Sequence, residues 1–372
     1  MADAPEDDLD RLIAELDAGR RDLAPGGGGL DVLLQQLAER QGSDLFLLAG
    51  EPPSMRIHGR VVRGDGPALD SLDVEELVVG DLPPHAQRAY REHGIADASR
   101  RIAGVGRFRI NLHRERGRAA ATIRLLPTRV PQLSALDLPT GVELLSKIPH
   151  GLVVVGGATG SGKTTTVAAI VDEINRRDAK HIVTIEDPIE YEHANQKSIV
   201  QQVEIGIDAP DFPTALRSAL RQAPDVIVIG EMRDPETMRI ALAAGETGHL
   251  VLTTLHTSDT PSTLARMTDS FPAERQPTIR QEIASALSAV WVQMLMPKHG
   301  GGRVAAAELL MVSYGARQHI RRNALQHMHQ EMTITRKLGS FTLEESLSRL
   351  VKAGELDRAE ALLRANHPDD IA

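Results

Sequence analysis

Cysteine is missing altogether from this chain of 372 residues. Its absence excludes disulfides, thiolate zinc sites, iron–sulfur clusters and cysteine nucleophiles at once, and it suits a reducing compartment. Aromatic side chains are scarce, 2% of residues, which leaves little with which to stack the bases of single strands. Positive charge is short as well: 42 Lys and Arg stand against 51 Asp and Glu, a formal net charge of -9. A coat for nucleic-acid phosphates needs the opposite balance, so no nucleic acid is expected as a partner, although local basic patches stay open. No apolar run approaches the roughly 18 residues of a spanning helix. Met1 to Asp10 are acidic with no apolar stretch behind them, so no signal peptide is expected. The expected address is cytoplasmic, with membrane association only through partners.

What is present is ordinary globular composition, 41% hydrophobic and 25% charged, at a length suited to roughly two or three domains. Residues 1–29 read as an acidic flexible tail ending in a Gly26–Gly29 tether. Residues 30–128 read as a small α+β domain. Leu30, Leu33, Leu34 and Leu37 recur at helical spacing, and Phe108, Ile110 and Leu112 alternate with Arg107, Arg109 and Asn111 as in a strand. That strand forms a hairpin turning near Arg116-Gly117, with Arg124 on the polar face of its second strand. Proline punctuates a linker over 129–150. From 151 to 300, short apolar strands (Val153–Val155, Ile182–Ile185, Val226–Ile229, Leu250–Leu252) alternate with helical segments, so the fold class is α/β with a mostly parallel sheet. Ile279, Ile283, Leu287, Val290 and Met294 recur at helical spacing, and 301–372 reads as a helical C-terminal appendage.

The strongest chemical signal is Gly157-Ala158-Thr159-Gly160-Ser161-Gly162-Lys163-Thr164, with Thr165 next, directly after an apolar strand and opening a helix. The glycines let backbone N–H groups and the helix N-terminus converge on phosphate oxygens. Lys163 supplies a point charge to the outer phosphates, and the Thr164 hydroxyl suits Mg²⁺, so ATP and Mg²⁺ are the expected ligands. The run Val226 to Ile229 followed by Gly230-Glu231 delivers an acid from a buried strand. Glu231 is then either a surface acid or a metal- and water-organising carboxylate, and its place after a phosphate loop favours the second. Glu186, at the end of the strand Ile182–Ile185, is placed to orient or deprotonate an attacking water. Its neighbours Asp187 and Glu190 are equally readable as ion-pair partners of an arginine. His249 and His256 bracket a strand of the same sheet, a position compatible with structural or catalytic service.

In chain order these elements resemble the Walker A, Asp box, Walker B and His box of secretion-type ATPases. The form Gly230-Glu231-Met232-Arg233-Asp234 is similar to that of the type IV pilus retraction ATPases, the PilT family. Arg317, Ile320 and Arg321 match that family's C-terminal retraction helix, whereas Gly315, Ala316, Gln318, His319 and Arg322 depart from it. Phe46 also departs, standing where the family commonly has a His. The resemblance implies a homohexamer with a PAS-like N-terminal domain and a RecA-like ATPase core. It implies Glu186 as catalytic base, Glu231 as Walker B acid, and His249 and His256 as His-box residues, with His256 nearer the γ-phosphate. It further implies Arg109 and Arg124 as arginines acting on the nucleotide, against the plain alternative of two solvated side chains.

The function implied is a motor for pilus retraction and twitching motility, peripheral at the inner membrane through a platform protein, with a second pilus ATPase as a further partner. The lack of cysteine counts against assembly-type ATPases, which usually carry a four-cysteine metal-binding insertion. Three alternatives stand beside this reading: the ATPase of another secretion system, an accessory nucleotide-binding subunit with little hydrolysis of its own, and a nucleic-acid translocase. The acidic balance weighs against the last.

Overall fold

The structure, a computed structural model, describes residues 29–127 and 129–371. The tail expected over 1–29 therefore lies outside the described residues, apart from Gly29. The chain divides at residue 128 into two compact units.

The first unit comprises α1 (Gly29–Glu39), β1 (Gly42–Leu48), β2 (Ser54–Ile57), β3 (Arg60–Arg63), α2 (Ser71–Val78), α3 (Pro84–His93), β4 (Ile95–Ile102), β5 (Gly106–Glu115) and β6 (Arg118–Leu126). Its six strands form one antiparallel sheet in the order β3-β2-β1-β6-β5-β4. Arg116 and Gly117, both at positive φ (52° and 76°), make the two-residue loop between β5 and β6. Left-handed conformation at both positions is what a type I′ hairpin needs to match the strand twist. One face of the sheet carries Leu45, Leu47, Phe108, Ile110, Leu112 and Ile123 into a core closed by the helices.

The opposite face is charged. Arg109 lies directly across from Arg124, and Asp44 is paired in register with both Arg124 and Arg56. The buried Asp44 carboxylate accepts from Arg124 Nε at 2.8 Å, Arg56 Nε at 3.2 Å and Ser43 Oγ at 2.8 Å. Burial pushes this carboxyl up, but the hydroxyl and the two guanidinium groups outweigh it and hold Asp44 below the usual range.

The second unit opens with α4 (Val142–Leu145) and continues through β7 (Gly151–Gly156), α5 (Lys163–Arg177), β8 (His181–Glu186), β9 (Ile199–Glu204), α6 (Phe212–Ala219), β10 (Val226–Ile229), α7 (Pro235–Glu246) and β11 (Leu250–Leu255). Then come α8 (Thr260–Asp269), α9 (Gln276–Ala286), β12 (Leu287–Pro297) and β13 (Arg303–Met311). The sheet runs β13-β12-β7-β11-β10-β8-β9 and is parallel except for the β12–β13 pair. Val153 and Val155 of β7 point into a cluster with Val167, Ile170 and Ile174 of α5, joined by Leu133, Val142, Leu145 and Ile148. Leu152 and Val154 point the other way, into a cluster with Leu242, Ile279 and Ile283. Burial on both faces explains the unbroken apolar runs, each fully buried Val or Leu contributing about 1.5–3 kcal/mol.

One expectation fails here. The helical spacing through Ile279 and Ile283 belongs to α9, but at Leu287 the chain turns into β12, so Leu287, Val290 and Met294 lie on a strand. β12 is buried for most of its length, and a run that is apolar on both faces carries no period to tell strand from helix. The hairpin with β13 extends the sheet past residue 300, so the C-terminal region is not purely helical. Its helices, α10 (Tyr314–Arg321), α11 (Met328–Ile334), α12 (Leu343–Lys352) and α13 (Arg358–Arg364), follow that strand. Leu343, Leu347 and Leu350 of α12 pack with Met296, Val304 and Ala306.

Candidate active site

In a parallel sheet every strand ends on the same edge, and the loops beyond those ends hold the site. Four such loops do so here, after β7, β8, β10 and β11.

The loop after β7 is Gly157–Gly162. Gly157 has φ +151°, and a Cβ there would lie 2.3 Å from Ser161 Oγ and 2.5 Å from the Gln293 carbonyl oxygen, so only glycine fits. Gly162, at φ +89°, caps α5. Lys163 is 7% exposed. Its Nζ donates to the carbonyls of Gly157 and Ala158, both at 2.9 Å, and lies 3.3 Å from His256 Nδ1. Burial pulls its ammonium below the usual lysine range, partly offset by Glu231 and Glu190. Thr165 Oγ1 is 3.0 Å from the Tyr191 hydroxyl.

His256, just beyond β11, joins this lysine to the acid after β10. Its Nε2 is 3.2 Å from Glu231 Oε1. With Lys163 as ammonium, one neutral tautomer satisfies both contacts: Nδ1 accepts from the lysine and Nε2–H donates to the carboxylate. Arg233 grips the other oxygen of Glu231 through Nε at 2.9 Å and Nη2 at 2.8 Å. Burial raises the Glu231 carboxyl, but Arg233 and His256 together outweigh it and hold it ionised below the usual range.

Glu186, ending β8, behaves differently. Its carboxylate accepts from Thr184 Oγ1 at 2.7 Å, Gln202 Nε2 at 3.3 Å and the Glu190 N–H at 3.4 Å. None of these partners is a cation, and burial pushes its pKa up. Glu186 and Thr164 line one small cavity of about 30 Å³ with Thr184, Tyr191 and Gly230. The two acids are therefore shifted in opposite directions, Glu231 held down by Arg233 and His256 and Glu186 pushed up by burial.

The second unit thus brings together Gly157 to Thr165, His256, Glu231 and Glu186. It does not bring His249 to them. His249 precedes β11, next to the start of β7, with its Nδ1 3.1 Å from the Ala244 carbonyl oxygen. The six residues of β11 put it about 20 Å along the sheet from His256. Arg109 and Arg124 belong to the first unit, where Arg109 is 3.8 Å from Asp97 and Arg124 is bound to Asp44. Two residues to which the sequence reading gave no role take part in the site. Arg233 orients Glu231, and Gln293 of β12 donates to the Ser161 carbonyl at 2.7 Å. For the latter the sequence shows only a lone amide in a buried apolar run, which marks the position but not its partners.

The residues suit a nucleotide. Ser161 Oγ is buried with no hydrogen-bond partner in the loop, Lys163 stands behind the loop, and α5 begins there. An open cleft of about 510 Å³ runs along Ala158, Thr159, His256 and Arg266. Among the described residues no helix is long and apolar enough to cross a membrane.

A strand–glycine loop–helix unit in a parallel sheet, with acids from two neighbouring strand ends, defines the phosphate-loop nucleotide-hydrolase class. Comparison narrows it. The family described as "Type II/IV secretion system protein" matches residues 120–355. The type IV pilus retraction ATPase PilT of Pseudomonas aeruginosa is 40% identical over 339 residues, 91% of this chain and 98% of that protein. A twitching motility protein of Neisseria gonorrhoeae is 38% identical over 86% of each chain. The crystal structure of the pilus retraction motor PilT with bound ADP superposes with a TM-score of 0.83 at 41% identity, covering 92% of this chain and 98% of that one. The chain belongs to the type II/IV secretion ATPase family, and within it to the pilus retraction ATPases.

Proposed function

We propose that the protein is an ATP-hydrolysing motor that retracts and disassembles a type IV pilus, and so drives twitching motility. The observation that carries this reading is the meeting of the phosphate loop, Glu231 and Glu186 on one sheet edge. Its setting is a chain 40% identical to a retraction ATPase along 98% of that protein.

Lys163 and the loop amides would hold the β- and γ-phosphates, with Glu186 orienting the attacking water and taking its proton. Burial raises the Glu186 carboxyl above the usual range, the direction that favours a group taking up a proton. Thr164 and Glu231 would hold Mg²⁺, which when bound neutralises charge on the transferred phosphoryl group. His256 keeps Glu231 and Lys163 in register. Arg109 and Arg124 keep the roles the family resemblance gives them, as charges acting on the phosphoryl group, whereas His249, at the opposite end of β11 from the loop, is given no part in the chemistry. We read the first unit as PAS-like and the second as RecA-like. The working form is a homohexamer, held in the cytoplasm at the inner membrane by a pilus platform protein and working alongside a second pilus ATPase.

The test is replacement of the chromosomal copy by Lys163→Ala. The expected result is surface pili that accumulate and cells that no longer twitch, with the purified variant devoid of ATPase activity. Retraction at the parental rate would refute the proposal.

A further inference from the structure

Behind the phosphate loop lies a buried amide held by three hydrogen bonds. β12 runs beside β7 with Val292 opposite Gly156, so Gln293 stands just past the strand end from which the loop springs. Gln293 is 3% exposed and sits in a strand whose neighbouring residues are Val290, Trp291, Val292 and Met294. A polar group there is costly unless satisfied, and this one is. Its Oε1 accepts from Thr166 Oγ1 at 2.8 Å and from Trp291 Nε1 at 2.7 Å, while Nε2 donates to the Ser161 carbonyl at 2.7 Å. The partners fix which end is which: an indole N–H only donates and a peptide carbonyl only accepts.

Two consequences follow for the loop. A trans peptide points its C=O and the next N–H in opposite directions. By drawing the Ser161 carbonyl towards β12, Gln293 turns the Gly162 N–H away from the strand. Gly162 itself is pressed close, since a Cβ there would lie 3.2 Å from Gln293 Nε2. The same side chain grips the first turn of α5 through Thr166, whose own N–H donates to the Gly162 carbonyl at 2.9 Å. Gln293 therefore holds the chain on both sides of Lys163 and Thr164.

We propose that Gln293 is a positioning residue for nucleotide binding, setting the phosphate-facing amide of the loop, and that Trp291 reports on the loop through the oxygen it shares with Thr166. Trp291 is the only tryptophan in the chain and is fully buried, so its emission has a single source. It stands edge-on to Phe341, ring centroids 5.8 Å apart, with no second indole to blur the signal. The inference rests on the reading of the loop as a nucleotide site.

The experiment titrates Mg-ADP into the purified full chain, followed by calorimetry and by Trp291 emission in parallel. The unmodified protein is expected to bind, with emission changing at the same midpoint. Gln293→Met, close in volume, is expected to bind ADP at least about tenfold more weakly, about 1.4 kcal/mol, because the hydrogen bonds that hold the loop are gone. In turnover, KM should rise by a similar factor while kcat changes less, and the emission response should vanish. Unchanged ADP affinity in a folded Gln293→Met overturns the inference. If that variant does not fold, the unmodified protein decides: emission that stays flat at saturating ADP overturns it, and emission that tracks the calorimetric isotherm supports it. Absence of any ADP binding by the unmodified protein overturns the nucleotide reading beneath it as well.

Discussion

Replacing Glu186 by Gln separates what this carboxylate does for chemistry from what it does to stability. The swap keeps the side chain's shape and one acceptor oxygen, so the Thr184 hydroxyl and the Gln202 amide retain their partner. The new NH₂ group faces the Glu190 N–H, now 3.4 Å from Oε2, a donor–donor contact costing about 1 kcal/mol. Against that stands the removal of a buried charge. Burial raises the Glu186 carboxyl, and a carboxyl raised on folding lowers stability wherever the pH exceeds its folded value. Gln carries no such cost, so the melting temperature should fall by no more than about 4 °C and is free to rise. Turnover should drop by about 10²–10⁴, the usual contribution of a general base, while ADP affinity holds. Phosphate release and differential scanning calorimetry on the same preparation read both effects. The parent should also lose activity as pH falls through the raised pKa, with an acid limb above the usual 4.5. Turnover of the variant within a few-fold of the parent would refute the assignment of Glu186; a large fall in melting temperature would refute the argument from burial.

Three further outcomes are expected. Asp44→Asn should cost the first unit about 1–2 kcal/mol in urea unfolding at pH 7, because two guanidinium groups lose their carboxylate. Since the Asp44 pKa is depressed below the usual 3.8, that stability is present above the unfolded value and lost on acidification, so the gap from the parent should close below about pH 4. Gly157→Ala forces a methyl to within 2.3 Å of Ser161 Oγ and 2.5 Å of the Gln293 carbonyl oxygen at φ +151°, a conflict of about 2–4 kcal/mol. Calorimetry should show ADP affinity reduced more than tenfold, and unchanged affinity would contradict the packing argument. Arg109→Ala should lower turnover by about 10³–10⁵ with a far smaller effect on ADP affinity if it serves as an arginine finger; a loss below tenfold in steady-state assays removes that role.

Legibility in the sequence followed the range of the interactions. The phosphate loop is written in consecutive residues, and its glycines, lysine and threonine act where they stand. Strands such as Val226–Ile229 were readable because four buried β-branched residues in a row, closed by a glycine turn, suit a short inner strand far better than a helix. β9 went unread because its edge position leaves Ile199 exposed and places Gln201 and Gln202 between Val200 and Val203. The turn from α9 into β12 was hidden because burial on both faces erases periodicity. Gln293 was out of reach for another reason: its partners Thr166 and Ser161 are 127 and 132 residues distant in the chain. The two histidines around β11 looked equivalent as letters, and only the direction of the strand sends His256 to the loop and His249 to the far edge.

The arrangement of one chemical group per loop has a consequence for how such a site tolerates damage. The glycine loop, Glu186, Glu231 and His256 hang from four different strands whose register is fixed by apolar residues beneath them. Removing any one side chain leaves the backbone ladder that presents the other three untouched. A defect at Glu186 is therefore separable, a variant there keeping a scaffold on which phosphate binding can be measured alone, whereas Lys163, His256 and Glu231 are joined by their contacts and their defects should not add independently.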